Sequence, residues 1–157
     1  MELWDELRRV AEAGTEEERT LLRLTLQAIR QKRERGSAYL SGFLGLSGEF
    51  VEEGVYQFRL PVTPFMLNRG GSVHGGIIAS LADSTIGSLI NKSLPEGRRA
   101  VTAEMKVNYL RPGKGGELVS RARLIHRGRR LAVGECEIFD GGGRRIALST
   151  ATFYILD

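Results

Sequence analysis

The spacing of apolar residues along the chain moves from a helical period to a two-residue period, back to a helical one, and then to two again. Leu3, Trp4, Leu7, Val10 and Ala11 fall on one face of a short helix that Gly14 breaks. Thr15 followed by Glu18 reads as a capping box, and Glu16, Glu17 and Glu18 suit the positive end of a helix dipole. Leu21, Leu22, Leu24, Leu26 and Ile29 carry a second helix into the charged run Arg30 to Arg35, with Gly36 as its expected stop. From residue 39 to Pro61 the pattern predicts strands. Tyr56, Phe58 and Leu60 alternate there with Val55, Gln57 and Arg59, after a turn at Glu53-Gly54. Pro61 to Ser72, rich in Pro, Asn, Arg and Gly, predicts an irregular loop.

A further helix is expected from Gly75. Ile77, Leu81, Thr85 and Leu89 recur every four residues, as do Ile78, Ala82, Ile86 and Ile90. Together they form a broad apolar face that suits a largely buried helix. The row Ala79, Asp83, Gly87 lies away from the middle of that face and carries one carboxylate between two small residues. Leu94-Pro95-Glu96-Gly97 ends the helix. Beyond it, Val101, Ala103, Met105, Val107 and Tyr109 are expected on one face of a strand, and Thr102, Glu104, Lys106 and Asn108 on the other. After a turn at 111–116, strands are expected at about 117–126, 131–139 and 144–156, joined by turns at 126–130 and 140–143. Consecutive strands on short turns imply an antiparallel sheet, and one long apolar helix among them must be covered by it. The fold class is α+β. The expected organisation is a helical extension at 1–36 and a single domain at 37–157.

Composition narrows the picture. A chain of 157 residues supports a core without disulfides, and its one cysteine, Cys136, cannot form one within the chain. The cysteine and the two histidines show no metal-ligand spacing, so no metal is expected. The acidic start Met1-Glu2-Leu3-Trp4-Asp5-Glu6 lacks the basic-then-apolar order of a signal peptide, and no apolar run is long enough to span a membrane. A cytoplasmic protein with no membrane association is expected. The net charge of +4 fits an arginine-rich surface or attraction to a polyanion. Aromatic residues do not interleave with the basic ones as in RNA-binding segments, so nucleic acid is not an expected partner.

Asn68, His74, Gly75 and Asp83 fall within sixteen residues of loop and helix. A loop entering a helix leaves backbone N–H groups free, and the helix dipole favours negative charge developing there. Gly75 and Gly76 let a carbonyl come close to those amides. Each residue has an ordinary explanation alone: a solvated Asp, a capping His, a glycine turn, an Asn turn. Their combination points to a site, because a carboxylate on a mostly buried helix is costly unless it has a partner or a task. Arg129 and Arg130, at a strand turn with Gly128, and Arg111 could meet phosphates, or could be plain solvated turn residues.

Asn68 to Ser84, reading Asn-Arg-Gly-Gly-Ser-Val-His-Gly-Gly-Ile-Ile-Ala-Ser-Leu-Ala-Asp-Ser, resembles the signature of the PaaI-type hot-dog thioesterases. That family carries an Asn, a His-Gly-Gly six residues on, and an Asp nine after the His. Val101 to Pro112 and the turn Gly128-Arg129-Arg130 also resemble the family, over about residues 40–156. The resemblance implies a hot-dog fold, a curved antiparallel sheet wrapped around a central helix, here with an N-terminal helical arm. It implies homodimers, commonly paired into tetramers, with the active site formed between subunits: Asp83 and Thr102 from one chain, Asn68, His74 and Gly75 from its neighbour. The implied substrate is an acyl-CoA, with a small aromatic (phenylacetyl-like) or medium-chain acyl group. Gly75 N–H would hold the carbonyl oxygen, Asp83 would attack or act as base, Asn68 would orient the attacking group, Thr102 would position water, and His74 would help hold the thioester or the loop. Arg129, Arg130 and Gly128 would meet the CoA moiety. No cofactor is required. The competing readings are a hot-dog hydratase or dehydratase, which would place its acid at a longer spacing from the His, a non-catalytic acyl-CoA-binding module, which would lack the Asp, and a purely structural oligomer.

Overall fold

The computed structural model describes residues 2–157. Two helices come first, α1 (Leu3–Ala13) and α2 (Glu16–Arg35). The capping box forms as the sequence predicts: Glu18 N–H donates to Thr15 Oγ1 at 3.2 Å, and Thr15 N–H donates to Glu18 Oε2 at 2.6 Å. Those bonds hold the Glu18 carboxyl below its ordinary range. Gly36 ends α2 in the left-handed region at φ 67°, and its N–H donates to Lys32 O.

The strand expected from residue 39 is instead a short helix, α3 (Tyr39–Leu44). Gly42 explains the difference. A Cβ there would stand 2.8 Å from Ala28 Cα, so glycine lets α3 lie on α2. The Gln27 amide adds a bond to Gly42 O at 2.9 Å. A six-residue helix is set by such packing and leaves little local signal. The helical unit therefore runs through Leu46, past the boundary expected at residue 36, and the second compact unit is Ser47–Asp157.

The second unit holds β1 (Ser47–Glu52), β2 (Val55–Pro61), a 3-10 turn at Pro64–Met66, α4 (Gly75–Ser93), β3 (Arg99–Tyr109), β4 (Glu117–Arg127), β5 (Leu131–Asp140) and β6 (Arg145–Leu156). The six strands form one antiparallel sheet in the order β1-β2-β4-β5-β6-β3. Helix α4 packs on β2 to β6. Ile78, Leu81, Ala82, Thr85, Ile86, Leu89 and Ile90 are its buried face, as the four-residue spacing predicts, while Ile77, expected with them, is half-buried in the first turn. Removing most of one such side chain typically costs about 2–5 kcal/mol. Gly87 lies beside the Phe153 ring, where a Cβ would come within 3.1 Å.

One register shift corrects the sequence reading of β3. Thr102 pairs with Phe153 and Glu104 pairs with Thr152, so Ala103 is an extra, bulged residue. Directly opposed residues share a face. Thr102, Met105, Val107 and Tyr109 therefore stand with Phe153, Ala151, Ser149 and Ala147, all buried. Thr102 does not share a face with Glu104, Lys106 and Asn108, as expected from unbroken alternation. It shares the helix-facing side with Tyr109.

Candidate active site

A helix leaves its first four N–H groups without acceptors of its own. At α4 these belong to His74, Gly75, Gly76 and Ile77. His74 N–H donates to Met66 O at 2.7 Å, and Ile77 N–H to His74 O at 2.9 Å. Gly76 N–H donates to His74 Nδ1 at 3.1 Å. Among the described residues, the Gly75 N–H meets no acceptor. One amide of four is thus left to offer, at the positive end of the helix dipole. Gly75 lines a cleft of about 410 Å³ whose walls include Asn68, Ser72, Tyr109 and Arg111.

The sequence-predicted residues around Gly75 shape this end. His74 is the N-cap of α4 and stays exposed. Because its Nδ1 accepts a hydrogen bond, a neutral ring carries its proton on Nε2. Asn68 Oδ1 accepts from Gly70 N–H at 2.9 Å and Ser72 N–H at 3.2 Å, so its oxygen folds the loop and its amide NH₂ is the group left over. Tyr109 is a member of this end that sequence reasoning assigned only to a strand face. Its hydroxyl donates to Gly75 O at 2.9 Å, and a Cβ on Gly75 would stand 3.3 Å from its ring. The available signal was a tyrosine at a strand end, since a packed tyrosine usually finds a partner for its hydroxyl.

Asp83 stands at a second place on α4. The Thr102 hydroxyl donates to Asp83 Oδ1 at 2.7 Å. The bulge at Ala103 makes this contact possible by turning Thr102 toward the helix. Nearby, the Asn91 side chain bonds both polar groups of Ala100, accepting its N–H at 2.9 Å and donating to its O at 3.3 Å, which ties the start of β3 to α4. Asp83 is half-buried, and Oδ2 has no partner among the described residues.

These two groups do not meet within one chain. Asp83 follows Gly75 by eight residues, so they lie ~12 Å apart along the helix axis. A thioester carbonyl on Gly75 N–H is therefore out of reach of the same chain's Asp83. The turn Gly128-Arg129-Arg130 is farther still from Gly75. Gly128 N–H closes it on Leu131 O at 2.8 Å, Arg130 donates to Tyr154 Oη at 3.3 Å, and neighbouring Arg127 donates to Ser93 O at 2.9 Å, at the last turn of α4. That end of the helix is ~27 Å from Gly75 and ~15 Å from Asp83. Arg111, by contrast, lines the Gly75 cleft and donates to Arg145 O at 2.8 Å. Among the described residues, no three His, Cys, Asp or Glu side chains gather as a metal cluster, and no helix is long and apolar enough to cross a membrane.

Comparison with known proteins agrees with this fold and motif. Residues 70–147 match the family model of the thioesterase superfamily. The acyl-coenzyme A thioesterase PaaI of Escherichia coli is 33% identical over 106 residues, covering 67% of this chain and 74% of that one. The 1,4-dihydroxy-2-naphthoyl-CoA hydrolase of Escherichia coli is 30% identical over 135 residues, covering 85% and 96%. A crystal structure of a Bacillus halodurans protein with CoA matches with a TM-score of 0.85 and 32% identity, over 98% of this chain and 100% of that one, so its match reaches into the helical unit as well. A curved antiparallel sheet around one helix, the His-Gly-Gly helix start and these relatives together give one conclusion: the chain belongs to the thioesterase superfamily and is a thioester hydrolase of the PaaI-type hot-dog kind.

Proposed function

We propose that the protein hydrolyses acyl-CoA thioesters at a site made from two copies of the chain, Gly75 of one and Asp83 of the other. The observation that carries this reading is the single unsatisfied amide at the start of α4, separated by ~12 Å from the only carboxylate of the motif. A second copy removes that separation. The outer edge of β3, eleven residues with none fully buried, is a free strand edge of the kind that pairs with another chain. Val101, Tyr109 and Leu110 are apolar and exposed along it.

In this reaction the thioester oxygen sits on the Gly75 N–H, which stabilises the negative charge that develops as the carbonyl carbon is attacked. The attacker is either water, with Asp83 Oδ2 taking its proton, or Asp83 Oδ2 itself, giving an anhydride that water then opens. In both routes the carbon–sulfur bond breaks, the CoA thiolate leaves and takes a proton, and the acid is released. Thr102 holds Asp83 Oδ1 and so aims the other oxygen. Asn68 builds the loop and offers its NH₂ to the reacting groups, while His74 caps the helix and presents Nε2–H. Arg129 and Arg130, beside Gly128, lie toward the Asp83 end of α4 and serve the CoA phosphates. A cleft of about 410 Å³ suits a small aromatic (phenylacetyl-like) or medium-chain acyl group. The relative that is a 1,4-dihydroxy-2-naphthoyl-CoA hydrolase supports an aromatic acyl group.

The test is hydrolysis of a panel of aromatic and medium-chain acyl-CoAs, followed with a thiol-trapping dye, for the native protein, Asp83→Ala and Asp83→Asn. Turnover by the native protein that both variants lose while still binding CoA supports the reading. An active Asp83→Ala removes Asp83 from the chemistry. CoA binding without turnover by the native protein favours a binding module.

A further inference from the structure

We propose that Tyr109 is a positioning residue for the amide that receives the thioester carbonyl. This rests on the reading of Gly75 N–H given above. The peptide group joining Gly75 to Gly76 is held at both of its polar ends by side chains from different parts of the chain. At one end the Tyr109 hydroxyl, from the end of β3, donates to Gly75 O at 2.9 Å. At the other, Gly76 N–H donates to His74 Nδ1 at 3.1 Å. A peptide group pinned at both ends cannot swing about its axis without breaking one bond or the other.

Gly75 needs that restraint. The peptide that carries the reactive N–H is held at its far end, where His74 O accepts from Ile77 N–H at 2.9 Å and Ile78 N–H at 3.2 Å. But glycine, the residue least limited in φ and ψ, follows it, and its own N–H has no intrahelical acceptor. The reactive N–H belongs to the peptide on one side of Gly75 Cα and the pinned group to the peptide on the other, so pinning the second leaves the glycine hinge between two held groups. The Tyr109 ring adds a wall. It lies 3.3 Å from where a Cβ on Gly75 would sit, so the ring occupies the side of glycine that a side chain would otherwise restrict. Donors aimed in advance at the developing oxyanion cost no reorganisation during reaction. Packing alone does not account for the Tyr109 hydroxyl, which is spent on a backbone carbonyl at the helix start.

Tyr109→Phe separates these roles, because it keeps the ring and deletes only the pin. Removing an oxyanion donor outright costs about 10²–10³ in kcat, and loosening one is expected to cost about tenfold. KM should stay within about twofold, because the hydroxyl contributes to the transition state and not to substrate binding. In an amide nitrogen–proton NMR spectrum, the Gly76 cross-peak should move while those of α2 do not. Tyr109→Leu, which also removes the wall, should lose more activity than Tyr109→Phe; should it fail to fold, the Phe variant decides alone. A kcat within twofold of the native value, or an unmoved Gly76 cross-peak, overturns the proposal, and so does a raised KM at unchanged kcat, which would make Tyr109 a substrate contact. The spectrum reads the pin without any turnover, so a native protein that hydrolyses no acyl-CoA would defeat the functional reading, and the catalytic part of this proposal with it, while the spectrum still reported on the pin.

Discussion

The two functional places on α4 differ in what the chain invests in them. At the Gly75 end the backbone is what is offered: a helix start, a loop folded by Asn68, a cap from His74 and a tie from Tyr109 leave one amide unpaired among the described residues. Two turns on a side chain is offered instead: Asp83 is held by one hydroxyl that a bulge turns inward. On the proposed reading the first place accepts charge and the second is the source of attack. On that reading their separation along the helix makes each of them half a site. The difference teaches that a short sequence motif can be contiguous in the chain and still be divided in space.

Breaking the attacking half should have the largest effect. Asp83→Asn keeps the shape and the Thr102 contact but removes the base or nucleophile, and kcat should fall by about 10³-fold or more, read as thiol released from acyl-CoA. Breaking the other half calls for Gly75→Pro. Proline is at home at the first helical position, and His74, at φ −60° and ψ 136°, already has the extended conformation required before it. The variant deletes the N–H that is free among the described residues, and its Cβ, 3.3 Å from the Tyr109 ring, makes that ring give by a few tenths of an ångström. The kcat should therefore fall by about 10²–10³ while circular dichroism keeps its helical signal. Retained activity would show that the carbonyl is held elsewhere.

Smaller effects sharpen the comparison. Thr102→Val removes the bond that aims Asp83, and about a tenfold loss in kcat is expected with KM little changed. Arg129→Ala and Arg130→Ala should act on KM instead, each raising it severalfold at low salt and less at high salt, since exposed charge contacts are screened. The smallest effect concerns Cys136. Burial pushes its thiol up to about 12, so in the folded protein it stays neutral and unreactive near neutral pH. A thiol dye should count no protein thiol until denaturant is added. By the same sign, what this group contributes to stability is complete below the ordinary thiol range and is lost as pH climbs from there toward about 12.

Much of this was legible in the sequence because the signals were local. The Thr15 and Glu18 box, the Gly36 stop, the four-residue rows of α4 and the two-residue period of the strands each depend on neighbours a few positions away. Asn68, His74, Gly75 and Asp83 stood out for the same reason. The features that were not legible depend on register and contact. Ala103 carries no mark of a bulge, yet its extra place in β3 decides which way Thr102 faces. Residues 39–44 read as the start of a strand, and packing on Ala28 makes them helical instead. Tyr109 read as one more strand residue because its partner lies 34 positions away.

The division of the site between chains is tested most directly by mixing Asp83→Asn with Gly75→Pro protein. The two inactive variants should form mixed dimers in which one of the two symmetric sites has both native halves, so about a quarter of native activity should return after random exchange. No return of activity, with mixed dimers demonstrated by differently tagged chains, would contradict a site built from Gly75 of one copy and Asp83 of another.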